Sequence, residues 1–198
     1  PDPAVIPSEH FNTVLYTGDG SSSQAQTGVG FQPDLVWVKK RSATDDHCLV
    51  DAVRGVNNYL KSNVTAAEGT SSSTINALST DGFTVGASGI VGDNGATYVA
   101  WNWKAGGTGA SNTNGSITST VSANADAGFS IVSYTGNGTS GATVGHGLSS
   151  KPDMIFLKIR SSSGEGPVYH SSLGSGYNLV ISNTDPKNPS AGAWDSTD

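Results

Sequence analysis

The sequence predicts an all-β protein made of two tandem β-sandwich modules, jelly-roll or lectin-like, with the second module incomplete. Three observations predict it. The composition disfavours helix: 26 of 198 residues are Gly and much of the rest is Ser and Thr, all of which destabilise a helix interior. The apolar residues are bunched into strand-length runs separated by turn signals such as Gly18-Asp19-Gly20, Asp93-Asn94-Gly95 and Asn137-Gly138. Finally, the chain writes one ten-residue phrase twice, FNTVLYTGDG at residues 11–20 and FSIVSYTGNG at residues 129–138.

The phrase opens a longer internal repeat. Residues 11–21 and 129–139 share six of eleven positions, and Asp19 faces Asn137, another residue that tolerates left-handed backbone. TGVGFQPDLVWVKKR (27–41) then lies over VGHGLSSKPDMIFLKIR (144–160), HCLVDAVRG (47–55) over GPVYHSSLG (166–174), and NYLKSNVT (58–65) over YNLVISNT (177–184). Matching blocks in one order, offset by 118–119 residues, define two copies of one module.

Element by element, residues 11–17 open the first strand. Leu35, Val36, Trp37 and Val38 form an unbroken apolar run, matched by Met154, Ile155, Phe156 and Leu157; such a run fits a strand buried on both faces and is too short for a helix. Lys39-Lys40-Arg41 reads as the solvated end of that strand. The only helical candidate spans residues 51–61, and Gly55 and the Asn57-Asn58 pair weaken it. YVAWNWK (98–104) alternates, with Trp101 and Trp103 one strand step apart on the same face; core aromatics are the plainer reading, a sugar-stacking platform the sharper one.

The domain boundaries follow: a first module over residues 1–107, a Gly/Ser/Asn linker over 108–115, and a second module over 116–198. The segment 81–107 of copy one has no counterpart in copy two, so the second module is expected to lack about its last two strands. Unpaired edges are liabilities, so more of the same polypeptide or a neighbouring chain is expected to supply them. The start, PDPAVIP without Met, also fits a segment of a longer polypeptide.

Chemistry is sparse. Charged residues are 13% of the chain and the net charge is -6, against about 25% charged in ordinary domains. The basic stripe of a nucleic-acid binder is missing, and no run approaches the roughly 18 apolar residues of a membrane span. Cys48, the single cysteine, reads as a small buried hydrophobe. Of sixteen carboxylates only Glu9, Glu68 and Glu165 are Glu, and most Asp sit beside turn residues. Asp45-Asp46 with Asp51 could hold a hard cation, though a solvated loop is the simpler reading. His10, His47, His146 and His170 lack zinc-site spacing, and copy one has Val29 where copy two has His146. No nucleophile elbow, phosphate loop or dinucleotide fingerprint is present. No catalytic, metal or cofactor residue is therefore assigned, and the ligand-binding residues are unknown from sequence.

FNTVLYTGDG, TGVGFQPDLVWVKKR, DAVRG, DGFTVG, YVAWNWKAGG, the run from GSITSTV through SKPDMIFLK, and VYHSSLG together resemble a family of bacteriophage virion structural proteins, tail-fibre-like or uncharacterised, common in phages of marine bacteria. The resemblance spans about residues 11–179 and implies a β-rich virion appendage module with no catalytic residues to carry over. A non-enzymatic tail-fibre or appendage module adhering to host-surface glycans is then the first expectation, in the virion, with trimeric copies of itself and other virion proteins as partners. A capsid or head decoration protein, or a head-fibre protein, is the alternative. A polysaccharide-degrading spike and a secreted bacterial glycan-binding protein are weaker options.

Overall fold

The computed structural model describes residues 5–189 and Trp194. Among the described residues the helical segments are two 3-10 turns, Pro7–Glu9 and Ser171–Leu173, and every pairing between named strands is antiparallel. The protein is all-β.

The first copy is a sandwich of two sheets. The larger runs β1 (Phe11–Thr17), β9 (Thr97–Trp103), β3 (Leu35–Lys40), β4 (Cys48–Asp51); the smaller runs β2 (Gln24–Gln26), β8 (Gly82–Val85), β7 (Ile75–Ser79). Alternation decides what faces inward. Val36 and Val38 from β3 and Tyr98 and Ala100 from β9 meet Ile75, Phe83 and Val85 from the smaller sheet, all fully buried. Each such large apolar side chain is worth about 1.5–3 kcal/mol on burial. Tyr16 stacks on Tyr98 at 5.1 Å and donates its hydroxyl to the Val91 carbonyl at 2.8 Å, so its polar tip is satisfied inside the core. Cys48 lies buried in the same cluster, as its apolar character leads one to expect. A ribbon of β5 (Asn58–Tyr59) and β6 (Gly69–Thr70) joins β4 through a Leu49–Leu60 bridge.

The second copy has one sheet of β10 (Ala110–Asn112), β11 (Ser119–Asn124) and β12 (Phe129–Tyr134), and another of β13 (Met154–Phe156), β14 (Pro167–His170), β15 (Tyr177–Val180) and β16 (Asn188–Pro189). The pairing of β13 to β16 repeats that of β3 to β6 in the first copy residue for residue. Leu35–Asp51, Val36–Val50 and Trp37–Leu49 reappear 119 residues later as Met154–His170, Ile155–Tyr169 and Phe156–Val168. The Leu49–Leu60 bridge reappears as Val168–Leu179. Asn58–Thr70 and Tyr59–Gly69 reappear as Tyr177–Pro189 and Asn178–Asn188. Even the link from the Ala52 amide to the Asp34 carbonyl, 2.8 Å, returns as Ser171 to Asp153 at 2.8 Å. A slip of one residue would turn every side chain to the wrong face, so the sequence repeat is a repeat of register.

What differs is what covers the sheet. Among the described residues, β9 and the smaller sheet have no counterpart in copy two. Tyr16 is 9% exposed, while Tyr134, at the equivalent place, is 40% exposed.

Three expectations need correction. Residues 51–61 are not helical: after β4 the chain turns, with the Asp51 carboxylate accepting the Val53 and Arg54 amides, and Gly55 and Asn57 at φ 86° and 73°. Left-handed backbone at two positions so close together cannot continue a helix. The linker 108–115 is not bare loop, because β10 lies within it and pairs with β11. And β3 is not buried on both faces: its inward residues are buried and its outward ones, Trp37 included, are half-buried.

Candidate functional site

The outer face of the large sheet carries an aromatic row, and register puts it there. Strand β9 pairs with β1 on one edge and β3 on the other, so Trp101 sits opposite Thr13 and Trp37, and Trp103 opposite Phe11 and Leu35. Tyr98, Ala100 and Asn102 take the inward positions of β9 and are fully buried. Trp101 and Trp103 are thus outward and half-buried, which overturns their reading as core aromatics. Trp37 meets Trp101 edge-on at 5.9 Å and Trp103 at 6.5 Å, and Phe11 meets Trp103 at 5.0 Å. Such ring contacts add about 0.5–1.5 kcal/mol beyond burial.

The second copy lies across this face and contributes its own outward residues. Phe129, the counterpart of Phe11, stacks on Trp103 at 6.0 Å, and Phe156, the counterpart of Trp37, meets Trp37 edge-on at 6.4 Å. Polar links hold the other end. The Glu68 carboxylate takes two bonds from Arg160 at 2.9 Å and a third from Arg54 at 2.9 Å, and the Glu68 amide donates to the Arg160 carbonyl at 3.0 Å. Burial works against the ionised Glu68, yet the two guanidinium groups win and hold it below the usual carboxylate range. Lys158 donates to the Val64 carbonyl at 2.8 Å.

Two clefts remain on the aromatic row. One of about 450 Å³ is lined by Val5, Pro7, His10, Phe11, Trp103 and Phe129, closed by the turn at Ala127-Gly128. A smaller one, about 260 Å³, is lined by Trp37, His47, Trp101 and Trp103. His47 accepts the Trp37 indole N–H through Nδ1 at 2.8 Å. Its pKa lies below the ordinary histidine value, through burial first and the nearby Lys39 charge second, with Asp46 opposing. His10 is tied through Nδ1 to the Asn124 side chain at 2.9 Å. Open aromatic faces beside polar ring atoms can stack the apolar side of a ring-shaped ligand and meet its hydroxyls.

The charged candidates are occupied structurally. Asp45 pairs with Lys40, Asp46 with Lys61, and Asp51 with Arg54, so the three carboxylates do not converge on a cation. Nor do they form a merely solvated loop, since each holds a different part of the fold. Among the described residues no group of three His, Cys, Asp or Glu is placed to hold a metal ion. Lys40 is a further correction: it is not a solvated strand end but 7% exposed, with Nζ 2.9 Å from Asp45 and 2.8 Å from Asp93. Two steps along β3 from Val38, its side chain points inward by parity. His146 accepts the Leu148 amide, and His170 accepts the Ser172 amide at the start of a 3-10 turn. Sequence reasoning missed Trp37, His47, Phe129 and Phe156 as parts of one surface. The signal was the repeat itself, which sets Phe129 on Phe11 and Phe156 on Trp37.

The fold and this face define a tandem-repeat all-β protein whose two copies meet through aromatic side chains. The chain belongs to the family described as Domain of unknown function (DUF7483), matched over residues 6–198. No curated protein and no solved structure matches it.

Proposed function

We propose that this chain is a non-enzymatic structural module of a bacteriophage appendage, a tail fibre or similar projection, that adheres to host-surface glycans. The observation that carries the reading is the larger cleft, where the mutually packed rings of Phe11, Trp103 and Phe129 line one hollow beside His10. Sugar rings present apolar faces that stack on aromatic side chains, with hydroxyls left for polar neighbours. Copies of the chain brought together in a trimer would multiply this one weak site and gain avidity. The non-enzymatic part rests on the carboxylates Asp45, Asp46, Asp51 and Glu68 being engaged by cations of the fold. Trimerisation and contact with other virion proteins belong to the same proposal.

A second reading is a capsid or head decoration protein, favoured by the exposed Tyr134 and Ile159 on the face of copy two turned away from copy one, which suit an apolar docking partner. Imaging of intact particles separates the two. Density for this chain projecting from the tail or its collar supports the appendage reading; density lying flat on the shell overturns it in favour of decoration.

A further inference from the structure

In copy one, β9 is the central strand: it pairs antiparallel with β1 on one edge and β3 on the other. Copy two holds the counterparts of both neighbours. Strand β12 repeats β1, and β13 repeats β3 with identical pairing to its far-side partner. Strand β12 is paired through β11 on one edge and β13 through β14 on one edge; among the described residues, the opposite edge of each has no strand.

Phe129 of β12 and Phe156 of β13 both rest on the outer face of the large sheet, on Trp103 and Trp37, so the two strands lie over one floor. Arg160, just beyond β13, reaches the Ser133 hydroxyl of β12 at 2.8 Å and its carbonyl takes the Glu68 amide at 3.0 Å, so the strand ends lie about one arginine side chain apart and the Glu68 clamp closes the gap at that end, at the place of Thr97. The floor between them is the cleft of Trp37, Trp101 and Trp103. On the opposite side, Tyr134 and Ile159, whose counterparts Tyr16 and Lys40 flank Tyr98 in copy one, are 40% and 45% exposed.

We propose that the gap between β12 and β13 is a strand-acceptor slot that takes an extended segment of the β9 pattern from another polypeptide, antiparallel to both edges. The register follows from the repeat. A residue at the place of Trp103 sits between Phe129 and Met154, one at the place of Trp101 between Ile131 and Phe156, and one at the place of Tyr98 between Tyr134 and Ile159. Alternate side chains settle on the tryptophan floor; the others cover Val132, Tyr134 and Ile159. Backbone bonds to two edges supply affinity, and the alternating side chains supply specificity. The slot rests on register alone and stands whether or not the appendage reading does.

The test uses the whole chain and a synthetic peptide of residues 97–104, TYVAWNWK, read by amide hydrogen exchange. Expected is on the order of tenfold slower exchange at both β12 and β13, with no effect from a scrambled peptide or from one N-methylated at alternate residues. Protection of a single edge, or equal protection by the scrambled peptide, overturns the slot. Protection that rises with protein concentration and needs no peptide overturns it too, by showing that a second copy covers the edges. Host-glycan binding measured alongside reports on the appendage reading separately, because the larger cleft is also lined by Val5, Pro7 and His10, which the slot does not use.

Discussion

The Trp37 indole nitrogen donates a 2.8 Å hydrogen bond to His47 Nδ1, tying β3 to the entry of β4 on the open side of the sheet. The bond needs an unprotonated Nδ1, and burial already holds the ring below the ordinary histidine pKa. A depressed folded-state value means the contribution to stability is present above the ordinary pKa of about 6.5 and is lost as pH falls through the folded value. Trp37 emission is expected to change with a midpoint below that of a free histidine. In His47→Gln the transition should vanish; a persistent transition would assign it to another group.

Lys40 should behave as a structural ion. Lys40→Ala is expected to lower stability by about 1–3 kcal/mol, measured by urea unfolding, because it removes the shared partner of Asp45 and Asp93 and empties a buried site. Lys40→Met should cost less, since Asp45 and Asp93 are partly exposed and can take up water while the stem is refilled. The Asp93 and Asp45 bonds raise the lysine pKa, and Lys40 in turn lowers that of Asp45, so this contribution persists through neutral pH and is lost as pH rises above the ordinary lysine range or falls through the folded Asp45 value.

Gly92 is a close-approach position. A Cβ there would drive into the Gly86 carbonyl, and the Gly92 carbonyl itself accepts the Gly20 amide at 3.0 Å. Gly92→Ala is expected to destabilise by about 1–3 kcal/mol in chemical denaturation. Gly28→Ala tests a different constraint, since space is open there and only the positive φ of 86° opposes a side chain; it should cost about 1 kcal/mol.

Glu68 clamps the two copies. Glu68→Ala is expected to make residues 150–166 susceptible to limited proteolysis while the core of copy one keeps its protection. Acid should act alike: the lowered folded-state pKa means the clamp is intact above about 4.3 and fails as pH falls through the folded value. Cleavage rates unchanged by either treatment would show that the Trp103–Phe129 and Trp37–Phe156 contacts suffice.

The repeat was legible because register and sequence run together: Pro33-Asp34 and Pro152-Asp153 precede strands that pair in the same frame. The orientation of β9 was not. Its two faces read Tyr98, Ala100, Asn102 and Val99, Trp101, Trp103, and hydrophobic weight favours burying the tryptophans. The core instead takes Asn102, whose amide nitrogen donates to the Asn12 and Ala100 carbonyls at 3.2 Å, because Trp103 finds cover from Phe129 of copy two and Trp101 packs on Trp37. That cover is a long-range contact which no local pattern encodes. Lys40 was missed for the opposite reason, since charge was weighed above the parity set by Val36 and Val38.

Cys48 is sealed in the core of copy one, its thiol pKa pushed up to about 12 by burial, and copy two carries Pro167 at the same pairing position. The molecule therefore contains one chemical clock, and it runs in one half only. A thiol reagent reaches that sulfur only when the first sandwich opens, while the second can loosen, dock or exchange partners without starting it. The rate at which the thiol is consumed dates the opening of one copy against the silent motion of its twin.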